Sequence, residues 1–293
     1  MNFTKPINFN HIFIIDLLND EELQTARKLD DDLSIYINIK SRTHIKVASK
    51  KDLVELLEAI KLFYIPQGIK PIIHIEGHGS EQSLHLPDKS YINWDELYEI
   101  ISGVNFLLSN QLILFVASCY GFNYITTLNI RRYTPTFCLV SPSKNMNSGT
   151  IQYGTSIFYR TLFETKDLDK SIKKLTDYDS SFSFYNSDQF FTETMINYFK
   201  SGHYGKSSND RIERLVSEKI TEERTNGALF NRSNKRIILS QTRKAAKKFI
   251  KSRESKFDIY KRNSLKFLGS YKSEIFHEII RLVESEFDIS NKG

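Results

Sequence analysis

Only two of the 293 residues are cysteine, Cys119 and Cys138. A secreted scaffold tied by disulfides needs a denser set, so a reducing, cytoplasmic setting is expected. Long apolar runs are missing too. No stretch approaches the roughly 18 residues of a membrane span, and Met1–Pro6 show no basic segment leading into an apolar one. Neither a membrane span nor a signal peptide is therefore expected. No Gly-x-x-x-x-Gly-Lys loop is present to cradle a nucleotide, and no Cys-x-x-Cys pair to hold zinc. No repeat of solenoid period occurs.

What is present is enough for a packed core: 40% hydrophobic residues against 26% charged. The charge is unevenly spread. Residues 200–293 hold 22 Lys and Arg against 12 Asp and Glu, a balance of +10; residues 1–199 hold 19 against 23, or −4. An acidic front joined to a basic back predicts two regions with different partners.

Up to about residue 165 strand and helix signals alternate. Strands are expected at His11–Asp16, Ser34–Lys40, Thr43–Ala48, Pro71–Ile75, Gln111–Val116 and Thr136–Val140. Ser83–Leu86 and Ser90–Ile92 suggest a small hairpin. Helical spacing marks Leu53–Phe63 behind a Ser49 cap, Trp94–Ile101 behind Asn93, Phe122–Arg132, Ile151–Phe163 and Asp167–Leu175. This order predicts an α/β fold with a mostly parallel sheet flanked by helices. Afterwards the strand signals fade. Ser180–Ser187 suggests a loop or junction, Ser201–Asn209 a linker, and 212–221, 237–252 and 274–287 helices. The expected division is a front domain over 1–178 and a helical, basic region over 179–293.

Two strand ends carry chemistry. Pro71-Ile-Ile-His-Ile-Glu-Gly-His78-Gly79 and Leu112-Ile-Leu-Phe-Val-Ala-Ser-Cys119-Tyr-Gly121 each stop at a reactive residue beside a glycine. Ligands collect at the carboxyl edge of open α/β sheets. A histidine and a cysteine delivered there form a candidate dyad, with Cys119 as nucleophile and His78 as acid and base. The start of the helix expected at Phe122 would favour a Cys119 thiolate. Backbone N–H groups of Gly79 and Cys119 would form an oxyanion hole. Each residue alone also fits a plain structural role, since a cysteine after an apolar strand is commonly a small core residue. Cys138 and His74 fit the core better than a site. His74, Glu76, His78 and His85 offer a rival metal use, but on a strand and without a close cysteine pair. No cofactor or metal is called for.

These two blocks, about forty residues apart, resemble the catalytic blocks of caspase-like (clan CD) cysteine peptidases. Trp94 between them, with Ile151–Phe163 and Asp167–Leu175 after them, is most similar to the bacterial CHAT-type and metacaspase-like branches. The resemblance implies a caspase-like sheet and a cytoplasmic thiol protease. It would cleave a partner protein, in a bacterial antiviral defence or cell-death pathway. It assigns the dyad to His78 and Cys119 and the oxyanion position to Gly79. One departure concerns specificity: the acidic residue that metacaspases place two before the nucleophile is here Ala117. Asp16 and Glu76 are the candidate acidic walls of a substrate pocket, although Asp16 also fits a loop cap.

The basic segment 235–253 interleaves Lys and Arg with Phe249 and Ile250. It could bind nucleic acid, dock a regulatory protein, or stand as a solvated helix face. The alternative for the whole chain is a catalytically silent binding module whose basic region takes nucleic acid or a protein effector.

Overall fold

A computed structural model describes residues 8–226 and 232–290. The N-terminal stretch read above for a leader lies outside them. The chain folds as two units, Met1–Gln189 with Lys266–Gly269, and Phe190–Leu265 with Ser270–Gly293.

The first unit is α/β. In chain order its elements are β1 (His11–Asp16), α1 (Thr25–Leu33), β2 (Arg42–Lys46), α2 (Lys50–Ala59), β3 (Pro71–Glu76), β4 (His78–Gly79), β5 (Ser83–His85), β6 (Tyr91–Asn93), α3 (Trp94–Leu107), β7 (Ile113–Ala117), β8 (Cys138–Pro142), α4 (Ser148–Thr165), α5 (Leu168–Tyr178) and β9 (Phe182–Asn186). The main sheet runs β2-β1-β3-β7-β8-β9. Its pairs are parallel except β8 with β9. β1, β3 and β7 are buried along their whole length, as unbroken apolar runs in a doubly covered parallel sheet require.

Side chains alternate between the two faces. Ile12, Ile14, Ile72, Ile113 and Phe115 join Leu29 and Leu33 of α1, Phe158 and Leu162 of α4, and Leu175 of α5 in one core. Phe13 points the other way and meets Tyr64, just beyond α2, edge-on. Ser49 caps α2 by accepting the Asp52 N–H at 3.2 Å, and Asp167 caps α5 by accepting that of Lys170 at 3.0 Å.

Four sequence expectations are corrected. Ser34–Lys40 is not a strand: the amides of Ser34, Tyr36 and Ile37 close the end of α1 by bonding back to Asp30, Asp31 and Leu33. Those local bonds leave Ile35 79% and Ile39 66% exposed. Phe122–Arg132 is not an α-helix; a short 3-10 turn, Gly121–Ile125, gives way to irregular turns. Ser180–Ser187 is not a loop but holds β9, which carries the sheet past the expected boundary at 178. Finally, Ser201–Asn209 is no linker. α6 (Ser187–His203) runs into it and α7 (Gly205–Thr225) takes up the rest, with Tyr204 alone between them and Gly205 at φ +59°.

The second unit is helical. Beyond α6 and α7 come α8 (Arg232–Lys251), α9 (Arg253–Leu268) and α10 (Ser273–Ser290). Tyr260 packs on Phe191 and Phe276, with ring centroids 5.5 and 5.4 Å away. α7 and α8 share a core of Ile212, Val216, Ile220, Ala246 and Ile250. Among the described residues no helix is long and apolar enough to cross a membrane.

Candidate active site

The register of β3 on β7 sets the site. Ile75 lies opposite Val116 and Glu76 opposite Ala117, so both strands end at one level of the sheet. The chain then leaves each strand side by side: Gly77 N–H reaches the Ala117 carbonyl at 3.4 Å. His78 is not the last residue of the parallel strand. It opens β4, which joins β5 and β6 in a separate antiparallel sheet. Gly79 follows, and its backbone lies hard against the β7 exit. A Cβ there would collide with the Ser118 hydroxyl and the Cys119 carbonyl oxygen.

His78 and Cys119 line one cavity of about 340 Å³. It opens at the carboxyl ends of β1, β3 and β7. The chain order reverses there, with β2 on one side of β1 and β3 on the other, the usual ligand position in such sheets. Leu18, Glu22 and Leu23 enter from the loop after β1, and Met146, Ser148 and Ile151 from the start of α4 and the loop before it. Thr25, Glu76, Gly77 and Ala117 complete the lining.

Each reactive side chain has its own partner. His78 Nε2 lies 3.1 Å from Glu22 Oε1 with the ring 64% exposed. Burial opposes ionisation of Glu22, but hydrogen bonds from Asn19 and then His78 outweigh it and hold the carboxyl below its ordinary range. Cys119 Sγ stands 3.1 Å from Asn145 Oδ1 and 3.3 Å from the Met146 carbonyl, and accepts the Met146 N–H at 3.4 Å. Among the described residues the two side chains do not hydrogen-bond each other. Sγ faces the β8–α4 loop, and His78 faces Glu22. Tyr120 takes a left-handed φ of +58° directly after the cysteine, and no α-helix follows there; the helix start beside Sγ is that of α4, whose N-cap is Asn147.

Of the two candidate acidic walls, Glu76 lines the cavity and Asp16 does not. Glu76 ends a buried chain of polar groups. Thr25 donates its hydroxyl to Glu76 Oε1, His74 Nε2 lies 3.4 Å from Oε2, and Tyr159 Oη lies 3.3 Å from His74 Nδ1. Burial, reinforced by the Glu76 charge, pushes the Tyr159 phenol far up. His74 is fully buried between Phe115 and Tyr159 as a core residue. Asp16 accepts the Leu18 N–H at 3.0 Å and contacts His44 Nε2 at 3.2 Å. Burial raises its pKa, yet those two bonds and the Lys46 charge together hold it below the ordinary value. It is a loop cap. Cys138 lies inside the core, and burial drives its thiol pKa far up. Among the described residues no group of three His, Cys, Asp or Glu is gathered to hold a metal ion.

Glu22, Thr25, Asn145 and Met146 were missed by the sequence reading. The signal that could have found them is topological: the loops after β1 and β8 leave the same sheet edge as the two motifs. No protein-family model matches the chain, and no curated protein matches it.

Proposed function

We propose that the chain is a cysteine endopeptidase of the caspase-like kind, acting on a partner protein. The observation that carries this reading is the cavity shared by Cys119 and His78, with the Gly79 backbone pressed against the cysteine. In the structure His78 pairs with Glu22 rather than with the thiol. An exposed imidazole turns about its side-chain bonds at little cost, so His78 exchanges Glu22 for the thiol when substrate fills the cavity. His78 then takes the Sγ proton, and the thiolate attacks the scissile carbonyl. The oxyanion is held by N–H groups of Gly79 and Cys119. As the intermediate collapses, the C–N bond breaks and the amine leaves with the proton from His78. Water, deprotonated by the same imidazole, releases the acid and restores the thiol. Glu76 gives the cavity an acidic wall suited to a basic substrate side chain.

Peptidyl chloromethyl ketones differing in the first side chain test this on the full chain. A lysyl or arginyl reagent should modify Cys119 fastest, and mass spectrometry locates the label. Cys119→Ala should abolish it, and His78→Ala should slow it by about 10²-fold. If no reagent modifies Cys119, or His78→Ala is labelled as fast as the parent, the peptidase reading fails.

A further inference from the structure

The longest acid-free stretch of the second unit, residues 224–253, contains α8. The 20 residues of α8, RSNKRIILSQTRKAAKKFIK, carry eight Lys and Arg and no Asp or Glu. Five of these cations form one line. Arg243, Lys244, Lys247 and Lys251 follow Arg236 at steps of 7, 8, 11 and 15, and all five are exposed. At about 100° and 1.5 Å per residue they fall within an arc of roughly 100° and extend over about 22 Å. A groove of about 480 Å³ runs along this line, lined by Arg236, Ser240, Arg243, Lys244 and Lys247 with Leu239.

The charge is only partly answered within the unit. Arg243 forks onto Glu213 of α7, with Nε and Nη2 at 2.8 and 2.6 Å from its two oxygens. The guanidinium, with help from Lys247, holds the Glu213 carboxyl below its ordinary range. Among the described residues no carboxylate forms an ion pair with Arg236, Lys244, Lys247 or Lys251. A row of like charges at this spacing weakens its own helix, and a polyanion laid along it removes that cost.

We infer that this face of α8 binds the phosphodiester backbone of a nucleic-acid duplex without reading its sequence. Three observations choose that partner. The apolar side of α8, Ala246 and Ile250, is already seated on Ile212, Val216 and Ile220 of α7. It is therefore not free to enter a lipid interface, as a membrane-surface helix must. The stripe holds no aromatic ring, and Phe249 projects from the far side of the helix, so single-stranded bases find no stacking platform. Leu239, which lines the groove, is itself packed against the α7–α8 core, and the exposed Ile237 at the stripe's border is a single aliphatic side chain, so the stripe lacks the cluster of aromatic anchors around which protein interfaces are built. Small hydroxyl and long cationic side chains are what phosphate contacts use. The inference stands apart from the chemistry of the first unit.

The test is fluorescence anisotropy of the full chain with duplexes of roughly 20 base pairs, two helical turns, one of DNA and one of RNA. Their ratio says which backbone is preferred. Each phosphate contact contributes about −0.9 to the slope of log Kobs against log salt, so four or five contacts give about −4. Lys244→Gln with Lys247→Gln should reduce that slope by about 2 and weaken binding at least about tenfold at low salt. Glu213→Gln, which frees Arg243 from its competing carboxylate, should tighten binding. A variant that merely unfolded could not do that. The inference is overturned if neither duplex binds at low salt, or if the double substitution leaves the slope unchanged. Tighter binding to phosphatidylserine vesicles or to polyglutamate than to either duplex overturns it as well, in favour of a membrane surface or an acidic protein.

Discussion

Gly79 has no room for a side chain. The exits of β3 and β7 run so close that a methyl group there meets the carbonyl oxygen of Cys119, which is backbone and does not rotate aside. Gly79→Ala therefore has to push the His78 segment off the cysteine. We expect a loss of about 1–3 kcal/mol in denaturant unfolding, the usual cost of overpacking. Labelling of Cys119 by the peptidyl reagents should fall at least as far as in His78→Ala. Normal labelling in a destabilised Gly79→Ala protein would separate the packing role from the oxyanion role. The place of this residue at a strand exit was legible in the sequence, as were those of His78 and Cys119. An apolar run ending in a reactive residue and a glycine marks the exit of a buried strand, although each such residue alone also fits a structural role. Glu22 and Asn145 were not legible, because polar residues in loops acquire a role only from what the sheet brings beside them.

Among the elements, β9 was concealed by its composition. Phe182-Ser-Phe-Tyr-Asn186 is short, half polar and flanked by serines, and it pairs on one side only. Yet Phe182 is buried under α4, packs on Phe115 at 6.5 Å and fills the space that Gly154 leaves open. Phe184, two residues on, is 43% exposed. The two rings should part company in urea unfolding. Phe182→Ala should cost about 3–5 kcal/mol and Phe184→Ala less than about 0.5 kcal/mol. Equal effects would mean that the segment is a loop after all. Ser34–Lys40 misled in the opposite sense. Its alternation is strand-like, but only Ile37 reaches the core, and the backbone donors are spent on the end of α1. The central strands were readable because a doubly covered sheet demands continuous apolar runs. The edges were not, because pairing there depends on distant neighbours rather than on local pattern.

At the scale of the whole molecule the chain divides by charge as well as by fold, and the basic half holds its own buried titratable group. His203, at the end of α6, is 5% exposed. Its Nδ1 lies 3.3 Å from the Ile250 carbonyl, and its Nε2 has no partner among the described residues. Burial first, then the charges of Arg211 and Lys256, push its pKa down from 6.5 to about 3. The native imidazole is therefore neutral through the mildly acid range. Once unfolded, the same side chain takes up a proton below its ordinary 6.5. The unfolded state then binds more protons than the native state, so stability falls as the pH drops from 6.5 towards 3. The slope from this one group is at most about 1.4 kcal/mol per pH unit. His203→Gln puts a neutral amide in place of the imidazole and accepts no proton in this range. In urea unfolding of the full chain, followed by helical circular dichroism between about pH 4 and 7, the variant should lose most of the acid sensitivity. A remainder is expected from His11 of the first unit, whose pKa burial also lowers, and near pH 4 from the carboxyls held below their ordinary range, Asp16, Glu22 and Glu213 among them. An unchanged slope in His203→Gln would place the acid sensitivity elsewhere and leave the buried α6–α7 junction without a titrating role.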